Sequence, residues 1–99
     1  MNRIPPDLLH RLRNDAHILS VLELLGIPTE RRGRRLKFRC PDCGHTDAAI
    51  IPDQNLGRCF HCERNFNPID LVMAERGDTF LEAVDYLARF LGLPSPWQL

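Results

Sequence analysis

Four cysteines fall in two Cys-x-x-Cys hooks, Cys40/Cys43 and Cys59/Cys62, and the chain has no others. A Cys-x-x-Cys turn presents two sulfurs to one ion. Two such turns complete a tetrahedron, which zinc accepts because it has no geometric preference of its own. Fifteen residues separate Cys43 from Cys59, a spacing in the zinc-ribbon range. The expectation is one structural zinc ion on all four cysteines. The alternatives are two disulfides or free buried thiols. Four protein ligands leave no position for water, so a closed centre does no Lewis-acid chemistry.

A metal staple matters in a chain this short. At 99 residues, one domain is the default and its core is small. Structural zinc contributes about 10–16 kcal/mol in finger peptides, comparable to the whole stability of a typical domain. No apolar h-region follows Arg3 and the Pro5-Pro6 pair. The stretch Ile18 to Ile27 is too short to span a bilayer. The expected address is the reducing cytoplasm, with no membrane contact, where paired cysteines more often hold metal than form disulfides. His45 and His61 lie close enough to the hooks to replace a cysteine, although four thiolates already close the shell. His10 and His17 fall in the helical N-terminus as surface residues.

Around the hooks the pattern predicts an α+β fold: a small antiparallel sheet with helices on either side. Residues 1–28 form the helical N-terminal part, 29–66 the zinc ribbon, 67–93 the C-terminal helices, and 94–99 a loose tail. Residues 4–14 read as a helix opened by Pro5 and Pro6, with Leu8, Leu9 and Leu12 on one side. A second helix starts at Asp15 as its cap, with Ile18, Val21, Leu22 and Leu25 as its stripe. Gly26 and Pro28 end it. Residues 29–34 read as an arginine-rich loop. Leu36, Phe38 and Cys40 alternate with Lys37 and Arg39 as a half-buried strand. Ala48 to Ile51 gives a second strand ended by Pro52, Asp53 to Gly57 a turn, and Gly57 to Phe60 a third strand. Phe66 packs under the helix that follows. Asn67-Pro68 opens that helix, which stops at Gly77. Thr79 with Glu82 makes a capping box for the last one, whose stripe is Phe80, Val84, Leu87 and Leu91.

The formal charge is zero, but Arg31, Arg32, Arg34, Arg35, Lys37 and Arg39 put six of 13 basic residues into nine positions. Past Cys62 acidic residues dominate. Attraction to an anionic partner must therefore come from the basic segment and not from global charge.

These residues resemble the zinc-binding domain of bacterial and phage-type DNA primases. A basic strand from Gly33 to Lys37 leads into Cys40-Pro41. A Cys-Phe-x-Cys hook follows at Cys59 to Cys62, then a helix over Ile69 to Arg76 and a Phe-x-Glu-Ala-Val start at Phe80 to Val84. The similarity covers roughly residues 3–93 and includes Ile4-Pro5. It implies a non-catalytic module that binds single-stranded DNA template in primer synthesis. The chemistry would lie in a separate catalytic primase subunit or domain, with a helicase as a further partner. Three positions depart from the family pattern. Cys43 stands where the family has histidine. Asp47-Ala48-Ala49 replaces a Pro-Ser-Phe segment, removing an aromatic. Asn65 to Pro68 replaces a Gly-Gly-Asp.

The candidate nucleic-acid set is Arg31, Arg32, Arg34, Arg35, Lys37, Arg39, Arg58 and Phe60. Arginine presents a planar fork of donors to phosphate. Phe38 and Phe60 flank the arm, where a base could stack, and Phe38 also fits the core face of its strand. Two other readings stay open: a protein-interaction or transcription-related zinc ribbon, and a rubredoxin-like electron carrier, which would be coloured by iron.

Overall fold

In a computed structural model that describes residues 5–93, the chain begins as a helical corner. Helix α1 (Pro6–Asn14) starts at its paired prolines, buries Leu12 and half-buries Leu8 and Leu9. Residue 4 and the predicted tail 94–99 lie outside the described residues. Helix α2 (Ile18–Leu24) begins three residues later than Asp15 suggested. Asp15 instead closes α1: its amide bonds the Arg11 carbonyl at 2.7 Å and its carboxylate faces Arg11 at 3.4 Å.

The cap of α2 comes from far along the chain. The Ile18 amide donates to Asn55 Oδ1 at 2.9 Å. Asn55 Nδ2 donates to the carbonyls of Arg13 at 2.8 Å and Ala16 at 2.9 Å. One amide side chain thus satisfies three groups that the α1–α2 corner leaves open. Asn55 holds a left-handed backbone (φ 51°), which asparagine tolerates better than most residues.

Five strands form one antiparallel sheet in sequence order among the described residues: β1 (Thr29–Arg32), β2 (Arg35–Phe38), β3 (Ala48–Ile51), β4 (Leu56–Cys59) and β5 (Asn65–Phe66). The predicted loop at 29–34 is therefore a hairpin. Thr29 pairs with Phe38 and Arg32 with Arg35, and Gly33 turns the chain at φ +63°. The segment Thr-Glu-Arg-Arg lacks apolar alternation because an edge strand here has little core beneath it. Charge on such an edge also discourages further pairing. A short 3-10 turn, Pro52–Gln54, follows β3 where Pro52 was expected to end it.

Cross-strand partners share a face of the sheet. One face gathers Leu36, Phe38, Ala48, Ile50, Gly57, Cys59 and Phe66. Phe38 is 3% exposed and belongs to the core. The tip of its ring sits against Gly57: a Cβ there would meet Phe38 Cζ at 2.6 Å. Phe66 is fully buried against α3 (Pro68–Arg76) and α4 (Phe80–Phe90) in one cluster that also takes in Leu12, Leu22, Leu71 and Leu87. Both C-terminal helices open with reciprocal capping boxes, Asn67 with Asp70 and Thr79 with Glu82. The stripe of α4 departs from expectation at Phe80, which is 38% exposed. It is the first residue of α4, whose buried residues begin at Ala83.

Candidate metal centre and nucleic-acid face

The two hooks are built alike. Each follows a strand end, and in each the first cysteine's amide bonds a carbonyl five residues on: Cys40 to His45 at 2.8 Å, and Cys59 to Arg64 at 2.9 Å. In each, the second cysteine's amide donates to the first sulfur at 3.4 Å. The residue after each second cysteine is left-handed, Gly44 at φ +79° and Glu63 at φ +62°. Glycine suits that conformation and glutamate does not, so the second hook turns without a glycine's help.

The ligand atoms of Cys40, Cys43, Cys59 and Cys62 all lie within 4.8 Å of one another. Across the hooks, Cys40 Sγ is 3.8 Å from Cys62 Sγ, and Cys43 Sγ is 3.6 Å from Cys59 Sγ. A tetrahedron with zinc–sulfur bonds of about 2.3 Å has edges of about 3.8 Å. The donor set and its spacing therefore fit one zinc ion, and all four cysteines predicted as ligands converge.

As free thiols the four would titrate unequally. Burial opposes the charge on Cys59, but the amides of Cys62 and His61 and the neighbouring thiols bring it down to about 7. At Cys43 the His45 amide favours the thiolate, yet burial and the other three sulfurs push it up to about 12. Metal capture replaces these shared protons with one cation. The histidines stay outside the cluster. His45 and His61 stack on each other at 3.6 Å between centroids, one from each hook, and both are exposed, as are His10 and His17.

The second face of the sheet carries the basic residues, but not all of those predicted together. The ladder Lys37–Ala49–Arg58–Asn65 crosses four strands on that face. Arg35 lies two residues from Lys37, and Arg32 pairs with Arg35, so both share the face. Phe60, 40% exposed, stands among three cations. Arg35 is 4.9 Å, Lys37 5.7 Å and Arg58 5.8 Å from its ring centroid. Ala49 is fully buried between Lys37 and Arg58, whose long stems cover the sheet there.

The rest of the predicted basic arm goes elsewhere. Arg31 pairs across with Leu36 and so points to the opposite face. Arg34 sits in the hairpin turn. Arg39 reaches α3 and pairs with Glu75 at 3.6 Å. Six clustered cations are thus not one surface: alternation sends Arg31 to the other face, Arg34 sits in the turn, and Arg39, past the end of β2, is drawn to α3 by Glu75. Arg58, distant in sequence, joins the site through β4.

Acids temper the face. Lys37 Nζ bonds Asp47 Oδ1 at 2.9 Å, and this hydrogen bond, then the ammonium charge, holds the Asp47 carboxyl below its usual range. Arg32 meets Glu30 at 3.4 Å with both side chains exposed, a pair of little net strength. Arg58 donates to the neutral Asn65 at 3.0 Å. Beside the face runs a cleft of about 650 Å³, walled by Arg32, Lys37, Arg39, Thr46 and Asp47. In the sequence Asp47 figures only in the Asp47-Ala48-Ala49 replacement, because a partner ten residues away leaves no local signal of contact. No helix among the described residues is long and apolar enough to cross a membrane.

Comparison with known proteins agrees with this geometry. The profile of the CHC2 zinc finger family matches residues 4–98. A DNA primase of Listeria monocytogenes is 28% identical over 90 residues, which is 89% of this chain and 14% of that protein. A DNA primase of Halalkalibacterium halodurans is 30% identical over 89 residues, 88% of this chain and 15% of that protein. This chain therefore spans about one seventh of the length of these relatives. With the match running through both hooks and the helices on either side, the chain belongs to the CHC2 zinc finger family, and its four cysteines are a structural zinc centre.

Proposed function

We propose that this chain binds single-stranded DNA template for primer synthesis and performs no nucleotide chemistry itself. A catalytic primase domain or subunit supplies that chemistry, with a helicase as a further partner in the cytoplasm. The observation that carries the reading is the exposed Phe60 ring ringed by Arg35, Lys37 and Arg58 within 5.8 Å. A base unstacked from its strand lies on the ring, where stacking contributes about 1–3 kcal/mol. The surrounding cations, with Arg32, take the flanking phosphates. A paired base offers no free face, so the site favours single strands over duplex. Phe60 is the aromatic of the second hook's Cys-Phe-x-Cys pattern, and it stands near Ala49, where the family's other aromatic is missing. The zinc centre contributes no open coordination position. Its role is to hold the ends of β2 and β4, and so Phe60, in place.

A titration against single-stranded DNA, duplex DNA and RNA of the same length, at several salt concentrations, tests this. Tighter binding to single-stranded DNA, weakened by Phe60→Ala, is the expected result. Equal binding to all three, or a Phe60→Ala variant that binds like wild type, contradicts it. The purified chain alone is expected to make no primers, and synthesis by a clean preparation overturns the non-catalytic reading.

A further inference from the structure

The sulfurs of the zinc centre are of two kinds. Cys40 and Cys59 are fully buried and accept amide hydrogen bonds at 3.4 Å, Cys40 from Asp42 and Cys43, and Cys59 from Cys62. Cys43 and Cys62 are partly exposed. The close approaches across the hooks each join one of either kind. Half-buried Cys43 is 3.6 Å from buried Cys59, and half-buried Cys62 is 3.8 Å from buried Cys40. Each half-buried cysteine thus has a fully buried cysteine of the other hook beside it. This is the arrangement of a peroxidatic thiolate and its resolving partner, present twice.

We propose that the centre is an oxidative modification site, at which hydrogen peroxide converts the four ligands into two cross-hook disulfides, Cys43–Cys59 and Cys40–Cys62, and releases the ion. Zinc-bound sulfurs are thiolates, the nucleophilic form. The thiolate of Cys43 or Cys62 attacks a peroxide oxygen. The O–O bond breaks, the departing hydroxide takes a proton and leaves as water, and a sulfenic acid remains on sulfur. The buried thiolate across the hooks then attacks that sulfur. The S–O bond breaks, a second hydroxide is protonated to water, and the disulfide forms. Each bridge takes two electrons from a sulfur pair, uses one peroxide and two protons, and yields two waters. Two rounds strip zinc of every ligand.

Cys43 makes the reaction complete. With the histidine usual in the family at this position, three sulfurs form one bridge and leave one thiol over. The all-cysteine centre instead ends as a chain without free thiols, held at the same two strand ends by covalent links in place of the ion. Reduction and added zinc reverse it.

The test is a hydrogen peroxide titration of the zinc-loaded full chain, with a chromogenic chelator for released zinc and a thiol count. Trypsin cuts after Arg39, Arg58 and Arg64 and so puts each hook on its own peptide. Cross-hook bridges link the two peptides, and bridges within a hook leave them separate. Two peroxides consumed per zinc released, no remaining thiols and a linked peptide pair are expected. Cys43→His should give only Cys40–Cys62, and Cys62→His only Cys43–Cys59, each with one thiol left. Separate peptides, bridges between chains, sulfinic acids without bridges, or zinc retained after excess peroxide overturn the proposal. If either variant fails to load zinc, the wild-type peptide map and stoichiometry still decide.

Discussion

The two faces of the sheet differ in what would happen if their side chains were trimmed. On one face, Phe38, Ile50, Cys59 and Phe66 are buried against helices and hooks, and each is held by packing or by metal. On the other, Arg32, Arg35 and Phe60 are exposed, Lys37 and Arg58 are half-buried, and Ala49 is sealed beneath them. A strand that must fold puts its apolar residues on the first face. Nothing in folding requires three cations around an aromatic ring on the second, and clustering like charges there costs stability through repulsion. The comparison separates a face that answers for stability from one that folding leaves free for the strand binding proposed above.

The largest effect should come from breaking the first face at the metal. Removing zinc with a chelator should unfold at least residues 35–65, because about 10–16 kcal/mol of binding free energy is tied to folding in such centres. Circular dichroism unchanged after verified zinc loss, under reducing conditions, would contradict this. Next comes the joint between the sheet and the N-terminal corner. Asn55→Ala removes three hydrogen bonds and leaves two carbonyls and a helix-start amide unpaired. A loss of about 2–4 kcal/mol is expected by denaturant unfolding of the zinc-loaded chain. Gly57→Ala sharpens the packing side. Its Cβ would meet the Phe38 ring at 2.6 Å, which should cost about 1–3 kcal/mol. Phe60→Ala, on the opposite face, should leave the melting temperature unchanged and weaken single-strand binding by about 1–3 kcal/mol. If Gly57→Ala changed binding without stability, or Phe60→Ala did the reverse, the division between faces would be wrong.

Much of this division could be read in the sequence, and the misses share a cause. The ligands, the two later helices and their caps are local patterns: hooks of fixed spacing, Asn-Pro and Thr-x-x-Glu starts, and stripes at helical period. All are resolved within a few residues, and they match Asn67, Thr79 and the four cysteines in the structure. Phe38 followed from strand alternation. What escaped was long-range. Asn55 caps a helix 37 residues away, and no local pattern marks it. Strand β1 has no apolar residue to betray it, because its partner is β2 and not a core. The basic segment was legible as charge but not as geometry. Only the register sends Arg31 away from Arg32 and brings Arg58 beside Lys37. The family match extends the same lesson, since its profile covers residues 4–98 while the cluster of cations draws on three separate strands.

The register also supplies the most direct test of the central claim. Two charge-removal variants contain nearly equal numbers of cations but differ in where the sheet puts them. The face set is Arg32, Arg35, Lys37 and Arg58, each replaced by glutamine. The off-face set is Arg31, Arg34 and Arg39, replaced in the same way. The measurement is single-strand affinity as a function of salt. Four phosphate contacts give a log–log slope of roughly −3 for single strands. The face variant should lose affinity and bring that slope close to zero, whereas the off-face variant should keep most of both. Equal flattening in the two variants, or an unchanged slope in the face variant, would contradict the assignment of strand binding to the Phe60 face.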